Sequence, residues 1–187
     1  HGDDRLHILD RIRDRVALAA GLSSDGTLDG SARTRAIDCL ARFSERLRTI
    51  PSTHIRVVGT NTFRKVRDAG AFHREAETAM GHAIEVLGGA EEARLVDLGI
   101  RYEVGSLDGP MLAVDIGGGS TELALGEGAS PDVTESVQAG CVAWTSRFFE
   151  DGRITAKQMK AAIIAAQLEL EPVMHRFAGS SGAHVIA

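Results

Sequence analysis

Ten residues, Val114-Asp115-Ile116-Gly117-Gly118-Gly119-Ser120-Thr121-Glu122-Leu123, constrain the fold of this chain more than any other stretch. An apolar run from Met111 to Val114 ends in an acid, three glycines turn the chain, and a second run, Thr121 to Leu125, opens with hydroxyls and another acid. So short a connection joins antiparallel neighbours and cannot join parallel ones. Val133 to Val137 predicts a third strand, completing an antiparallel meander whose first turn is the glycine loop. Glycines without Cβ let backbone N–H groups converge on an anion, and Ser120 and Thr121 add hydroxyl donors. Asp115 and Glu122 flank the loop, where hard oxygen ligands suit a magnesium ion beside phosphates. A glycine-rich hairpin with solvated acids is the plainer reading, and a triple glycine alone does not decide. The order of acid, glycines, hydroxyls and acid favours the phosphate loop, because a mere turn does not require it.

Upstream the pattern is mixed α/β. Leu6, Ile8, Ile12 and Val16 alternate loosely with polar residues and predict two short strands. Asp29 is placed to cap a helix carrying Ile37, Leu40, Phe43 and Leu47, which Pro51 ends. Ile55 to Val58 predicts a buried strand, Phe72 to Met80 a helix, and Ile84 to Leu87 another strand. A helix bearing Leu95, Leu98 and Tyr102 follows Gly88-Gly89. Strands alternating with helices imply some parallel pairing. The Gly/Pro-bearing link from Gly105 to Pro110 marks a boundary between a first lobe, 1–106, and a second, 107–187. After the third hairpin strand come two helices, the later running from about Thr155 to Phe177, with Pro172 expected to bend or interrupt it.

Bulk properties narrow the classes of partner. A net charge of −5 over 187 residues argues against a dedicated nucleic-acid binder, yet leaves room for a polyanionic substrate in a locally basic or metal-bearing cleft. Two cysteines, Cys39 and Cys141, do not make a disulfide framework and read as reduced thiols of a cytoplasmic protein. No run reaches the length of a membrane span and no signal peptide is visible. Glu91 and Glu92 stand together at a helix start, where the helix dipole favours acids and Glu91 can pair with Arg94 at i,i+3. Alternatively, one of them is a general base facing a cleft. Consecutive helical residues diverge by about a hundred degrees, so both cannot aim at one atom, and periodicity does not choose.

The glycine hairpin resembles the phosphate loops of the actin-like ATPase superfamily. Three further motifs make the likeness specific: Gly59-Thr60-Asn61-Thr62-Phe63-Arg64, Gly88-Gly89-Ala90-Glu91-Glu92-Ala93-Arg94-Leu95, and Gly140-Cys141-Val142 with Arg147-Phe148-Phe149. With the hairpin they resemble, in order and at compatible spacing, four motifs of the exopolyphosphatase and guanosine pentaphosphate phosphohydrolase (Ppx/GppA phosphatase) family. That resemblance implies an α/β actin-like ATPase (ribonuclease-H-like) fold, with two lobes around a phosphate-binding cleft. It implies a magnesium-dependent hydrolase acting on terminal phosphate, with polyphosphate favoured as substrate and guanosine pentaphosphate the alternative. By position the general base falls on Glu92, with Glu91 in reserve. Asp115 and Glu122 fall on the metal-associated acids, Gly117, Gly118, Gly119, Ser120 and Thr121 on the phosphate contacts, and Arg64 on a phosphate-binding cation. Family members are often dimers, so a homodimer is expected.

The chain also departs from the pattern. The family's first phosphate loop, expected just before the strand near residue 6, is not in it, and the sequence begins at His1. Gly179-Ser180-Ser181-Gly182 resembles a later loop, but Ala183 stands where a hydroxyl residue is usual. The expectation is a fragment of a longer enzyme, incomplete at both ends. Two remoter readings are an actin-like kinase or ATPase lobe, and a non-catalytic sensor of polyphosphate or a guanosine alarmone. The Glu-Glu-Ala-Arg motif speaks against the first, and retention of Glu92, Asp115 and Glu122 against the second.

Overall fold

A computed structural model of the chain describes residue 8 and residues 10–187, apart from 68, 106, 179 and 180. Helix α1 (Gly30–Leu47) starts where Asp29 accepts a hydrogen bond from the Ala32 N–H at 2.7 Å, the expected cap. Its buried positions are small: Ala32, Ala36 and Cys39, at i, i+4 and i+7. Ile37, Leu40, Phe43 and Leu47 sit half-buried beside that stripe. Small residues at the centre let α1 lie close to α3 (Ala69–Met80), and Ala36, Val66 and Phe72 form one core cluster.

The two strands predicted before α1 are not formed among the described residues. Leu6 lies outside these residues, Ile8 and Ile12 are exposed, and Val16 packs on the first core cluster without strand partners. A 3-10 turn at Leu18–Gly21 follows, then a tight loop closed by the Leu22–Leu28 bridge. Alternation read from sequence becomes a strand only when a neighbouring strand satisfies its backbone.

Strands β1 (Val57–Gly59) and β2 (Ile84–Val86) pair in parallel, with α2 (Asn61–Lys65) and α3 crossing between them. Helix α4 (Gly89–Val104) comes next, and its packing partners are three strands of a second sheet. These are β3 (Met111–Ile116), β4 (Thr121–Gly126) and β5 (Val133–Val137), the antiparallel meander expected from the short connections. Asp97 of α4 is fully buried and accepts from Arg101 Nε at 2.7 Å. Arg101 also donates to the Gly126 and Gly128 carbonyls, so one guanidinium ties α4 to the β4–β5 turn.

Helices α5 (Cys141–Phe148) and α6 (Ala156–Met174) complete the connection to β6 (His184–Ile186). A capping box between Thr155 and Gln158 starts α6. The helix passes through Pro172 without interruption and gives way to a 3-10 turn at His175–Phe177. Strand β6 pairs in parallel with β3, giving the order β5-β4-β3-β6; sequence reading had assigned it no element. Gly179 and Ser180 lie outside the described residues, and Gly182 follows with a left-handed backbone.

Candidate active site

None of Gly117, Gly118 and Gly119 adopts a left-handed backbone, so these glycines are not needed for an unusual turn. They are needed for close approach. The loop is braced by the start of α5: the Cys141 N–H donates to the Gly117 carbonyl at 2.9 Å, and those of Val142 and Ala143 to the Gly118 carbonyl at 3.0 Å. A Cβ on Gly140 would lie 2.3 Å from the Gly119 backbone. In a trans peptide the C=O and the following N–H point in opposite directions. With both carbonyls turned onto α5, the N–H groups of Gly118 and Gly119 face away from it, an arrangement suited to an anion. The fourth motif of the sequence is thus the brace of the third.

Two other loop donors are already engaged. The Gly117 N–H closes onto the Ser120 carbonyl at 2.9 Å, and the Thr121 hydroxyl donates to the Ala139 carbonyl at 2.6 Å. Ser120 is buried. A cavity of about 580 Å³ adjoins Gly119, with Asn61, Thr62, Lys65 and Ser146 on its wall. Asn61 is buried against Gly119, and among the described residues its Nδ2 has no hydrogen-bond partner. Asn61 belongs to the Gly59–Arg64 motif, and its polarity at a helix start is the signal the sequence carries for it.

The two glutamates of α4 separate cleanly. Glu91 forms a two-pronged ion pair with Arg94, both contacts at 2.8 Å, and this hydrogen bond holds its carboxyl below the ordinary range. Glu92 turns inward, its side chain 16% exposed, and meets Arg64 Nη1 at 2.9 Å. The same Nη1 donates to the Leu87 carbonyl at 2.6 Å, so α2, the end of β2 and α4 converge on one guanidinium.

Asp115, Glu122 and Ser136 form one cross-strand row: Asp115 on β3 opposes Glu122 on β4, which opposes Ser136 on β5. Directly opposed residues share a face of the sheet. Asp115 is exposed, whereas Glu122 is 2% exposed and accepts from the Ser136 hydroxyl at 2.8 Å. Burial pushes the Glu122 carboxyl up, and the fields of Glu92 and Asp115 push the same way, against hydrogen bonds from Ser120 and Ser136. A desolvated acid beside two others is a setting that a divalent cation relieves. Among the described residues no three acid, histidine or cysteine side chains form a metal-holding group. Magnesium needs none, because it keeps several waters and takes one or two carboxylates plus substrate oxygens. Asp115 and Glu122 fit that chemistry.

Comparison with known proteins fixes the class. A solved exopolyphosphatase from Cytophaga hutchinsonii superposes with a TM-score of 0.86 at 26% identity, covering 94% of this chain and 56% of that one. An exopolyphosphatase-like protein superposes at 0.82 with 27% identity, covering 90% and 53%. The fold is the mixed α/β architecture of these exopolyphosphatases. The chain matches the Ppx/GppA phosphatase family over residues 1–185 and belongs to it. A guanosine-5'-triphosphate,3'-diphosphate pyrophosphatase of Vibrio cholerae is 41% identical over 177 residues. The match takes in 95% of this chain and 35% of the relative, so the chain spans about a third of that protein's length. Both cysteines are free, and among the described residues no helix is long and apolar enough to cross a membrane.

Proposed function

We propose that the complete protein hydrolyses a terminal phosphoanhydride, with guanosine pentaphosphate as its preferred substrate and Glu92 as general base. The observation that carries the chemistry is the divergence of the two glutamates: Glu91 is engaged by Arg94, while Glu92 faces Arg64. For the substrate, the 41% identical Vibrio cholerae relative carries the name of a guanosine pentaphosphate enzyme, whereas the solved exopolyphosphatases stand at 26% and 27%. The lean toward polyphosphate read from sequence therefore gives way to its alternative. A cytoplasmic setting, the two lobes divided at 106/107 and a homodimer belong to the same proposal.

In this reading the terminal phosphoryl group sits against the Gly118 and Gly119 N–H groups, and the adjoining cavity takes more of the substrate. Arg64 is shared. Without substrate it neutralises Glu92; a bound phosphate draws the guanidinium off and leaves the carboxylate able to accept a proton. Glu92 then takes that proton from water as the water oxygen bonds to the terminal phosphorus. The phosphoanhydride bond breaks, and its electron pair leaves on the bridging oxygen. Asp115 and Glu122 would hold magnesium, which when bound neutralises charge on the phosphate oxygens. Phosphate release from guanosine pentaphosphate and from long-chain polyphosphate, measured side by side on the complete protein, tests the choice. A higher kcat/KM on guanosine pentaphosphate is expected; the reverse order restores the exopolyphosphatase reading.

A further inference from the structure

We propose that Ser136 is a positioning residue for Glu122, and that Gly89 is the residue that lets the helix carrying Glu92 close onto it. The proposal rests on reading Glu122 as a cation ligand. Glu122 lies on a central strand, between Asp115 on one side and Ser136 on the other. Its Oε1 accepts from the Ser136 hydroxyl at 2.8 Å. Its Oε2 lies on the Gly117 side, 3.8 Å from where a Cβ on that glycine would stand. One oxygen is therefore engaged from β5 while the other is directed to the phosphate loop. Partners of this kind fix the orientation of a ligating carboxylate.

The second half of the device is on α4. A Cβ on Gly89 would stand 2.5 Å from the Ser136 Cβ and 2.9 Å from its hydroxyl oxygen, leaving no room for a side chain between helix start and strand. Glu92 is three residues further along the same helix, and its field reaches Glu122. Contact at Gly89 and Ser136 therefore sets the distance between the base and the buried acid. An apolar residue at 136 could fill the same space, but it would leave Glu122 Oε1 without this donor inside the fold. A mid-strand serine serves both ends at once.

The test uses the complete protein, with Mn2+ alone as probe and its paramagnetic resonance signal as readout, so that binding is read apart from turnover. Ser136→Ala should weaken Mn2+ binding about tenfold, the lower end for loss of an outer partner of a metal ligand. Glu122→Ala should weaken it at least as much. Gly89→Ala should lower both the melting temperature and turnover. Adding Ser136→Gly removes the obstructing Cβ, leaving the Ser136 Cα, at 3.9 Å, as the nearest atom of that residue. That double variant should regain melting temperature over Gly89→Ala while binding Mn2+ as weakly as Ser136→Ala; a melting temperature no higher than that of Gly89→Ala overturns the role given to Gly89. Parental affinity in Ser136→Ala against weakened affinity in Glu122→Ala overturns the positioning role alone. Parental affinity in both overturns the cation reading of Glu122 and this role with it.

Discussion

Gly140→Ala probes whether the glycine loop works through its bracing. The added methyl would stand 2.3 Å from the Gly119 carbonyl carbon and nitrogen and 2.4 Å from its Cα, where ordinary contact begins at 3.4 Å. All three are backbone atoms, so no side chain can swing aside; loop and helix must part by about 1 Å, and overpacking of this kind costs roughly 1–3 kcal/mol. Parting also stretches the bonds from Cys141, Val142 and Ala143 that turn the loop carbonyls onto α5. Once those carbonyls rotate, the Gly118 and Gly119 N–H groups rotate with them. A 1 Å misplacement of positioning groups can lower turnover on the order of 100-fold. Phosphate release by the complete protein, assayed well below the variant's melting temperature, should fall by about that factor. Parental turnover together with an unchanged melting temperature would refute the reasoning.

Three other perturbations reach different parts of the account. Asp97→Ala strips the carboxylate from the largely buried Arg101 guanidinium, which keeps only its two carbonyl acceptors, and urea denaturation should show a loss of about 3–5 kcal/mol; a loss below about 1 kcal/mol would mean that the Gly126 and Gly128 carbonyls suffice to hold the charge. Arg64→Ala should lower kcat/KM about 100-fold, and Arg64→Lys should recover part of it, because Nη1 alone meets the Leu87 carbonyl and Glu92 and an ammonium has donors enough for both; no recovery by lysine would mean that the rest of the guanidinium is required. Glu122 keeps its proton to higher pH in the folded state than an ordinary glutamate does, so its contribution to stability is present at low pH and lost as pH rises through the elevated value. In chelator, Glu122→Gln should therefore gain melting temperature relative to the parent as pH rises from 4.5 toward neutrality, and parallel curves would contradict that.

Much of the site could be read from the chain because its parts are local. The hairpin followed from the length of one connection, the α1 cap from Asp29, and the start of α6 was placed near Thr155. What could not be read depends on distant partners. Glu91 and Glu92 have the same local environment in sequence; what separates them is that Arg94 is three residues from Glu91 while Arg64 reaches Glu92 from 28 residues away. Ser136 is an unremarked strand serine until β5 aligns it with Glu122. Strand β6 is three residues long, largely exposed, and exists because the β3 edge accepts it. The alternation before α1 suggested strands and gave none among the described residues, since no neighbouring strand meets it there.

The assignment of the base is the claim on which the mechanism stands. Glu92→Gln retains the side chain's size and its capacity to meet Arg64 through an amide oxygen, but it cannot take a proton from water. In the complete protein, substrate binding should persist while turnover falls by roughly two to four orders of magnitude, the contribution of a positioned general base. Glu91→Gln, which alters only the exposed pair with Arg94, should stay close to parental turnover. Phosphate release from guanosine pentaphosphate by the two variants side by side is the measurement. Loss in Glu92→Gln alone is the predicted result; full turnover in Glu92→Gln contradicts the account, and if Glu91→Gln is the inactive one, the base is Glu91.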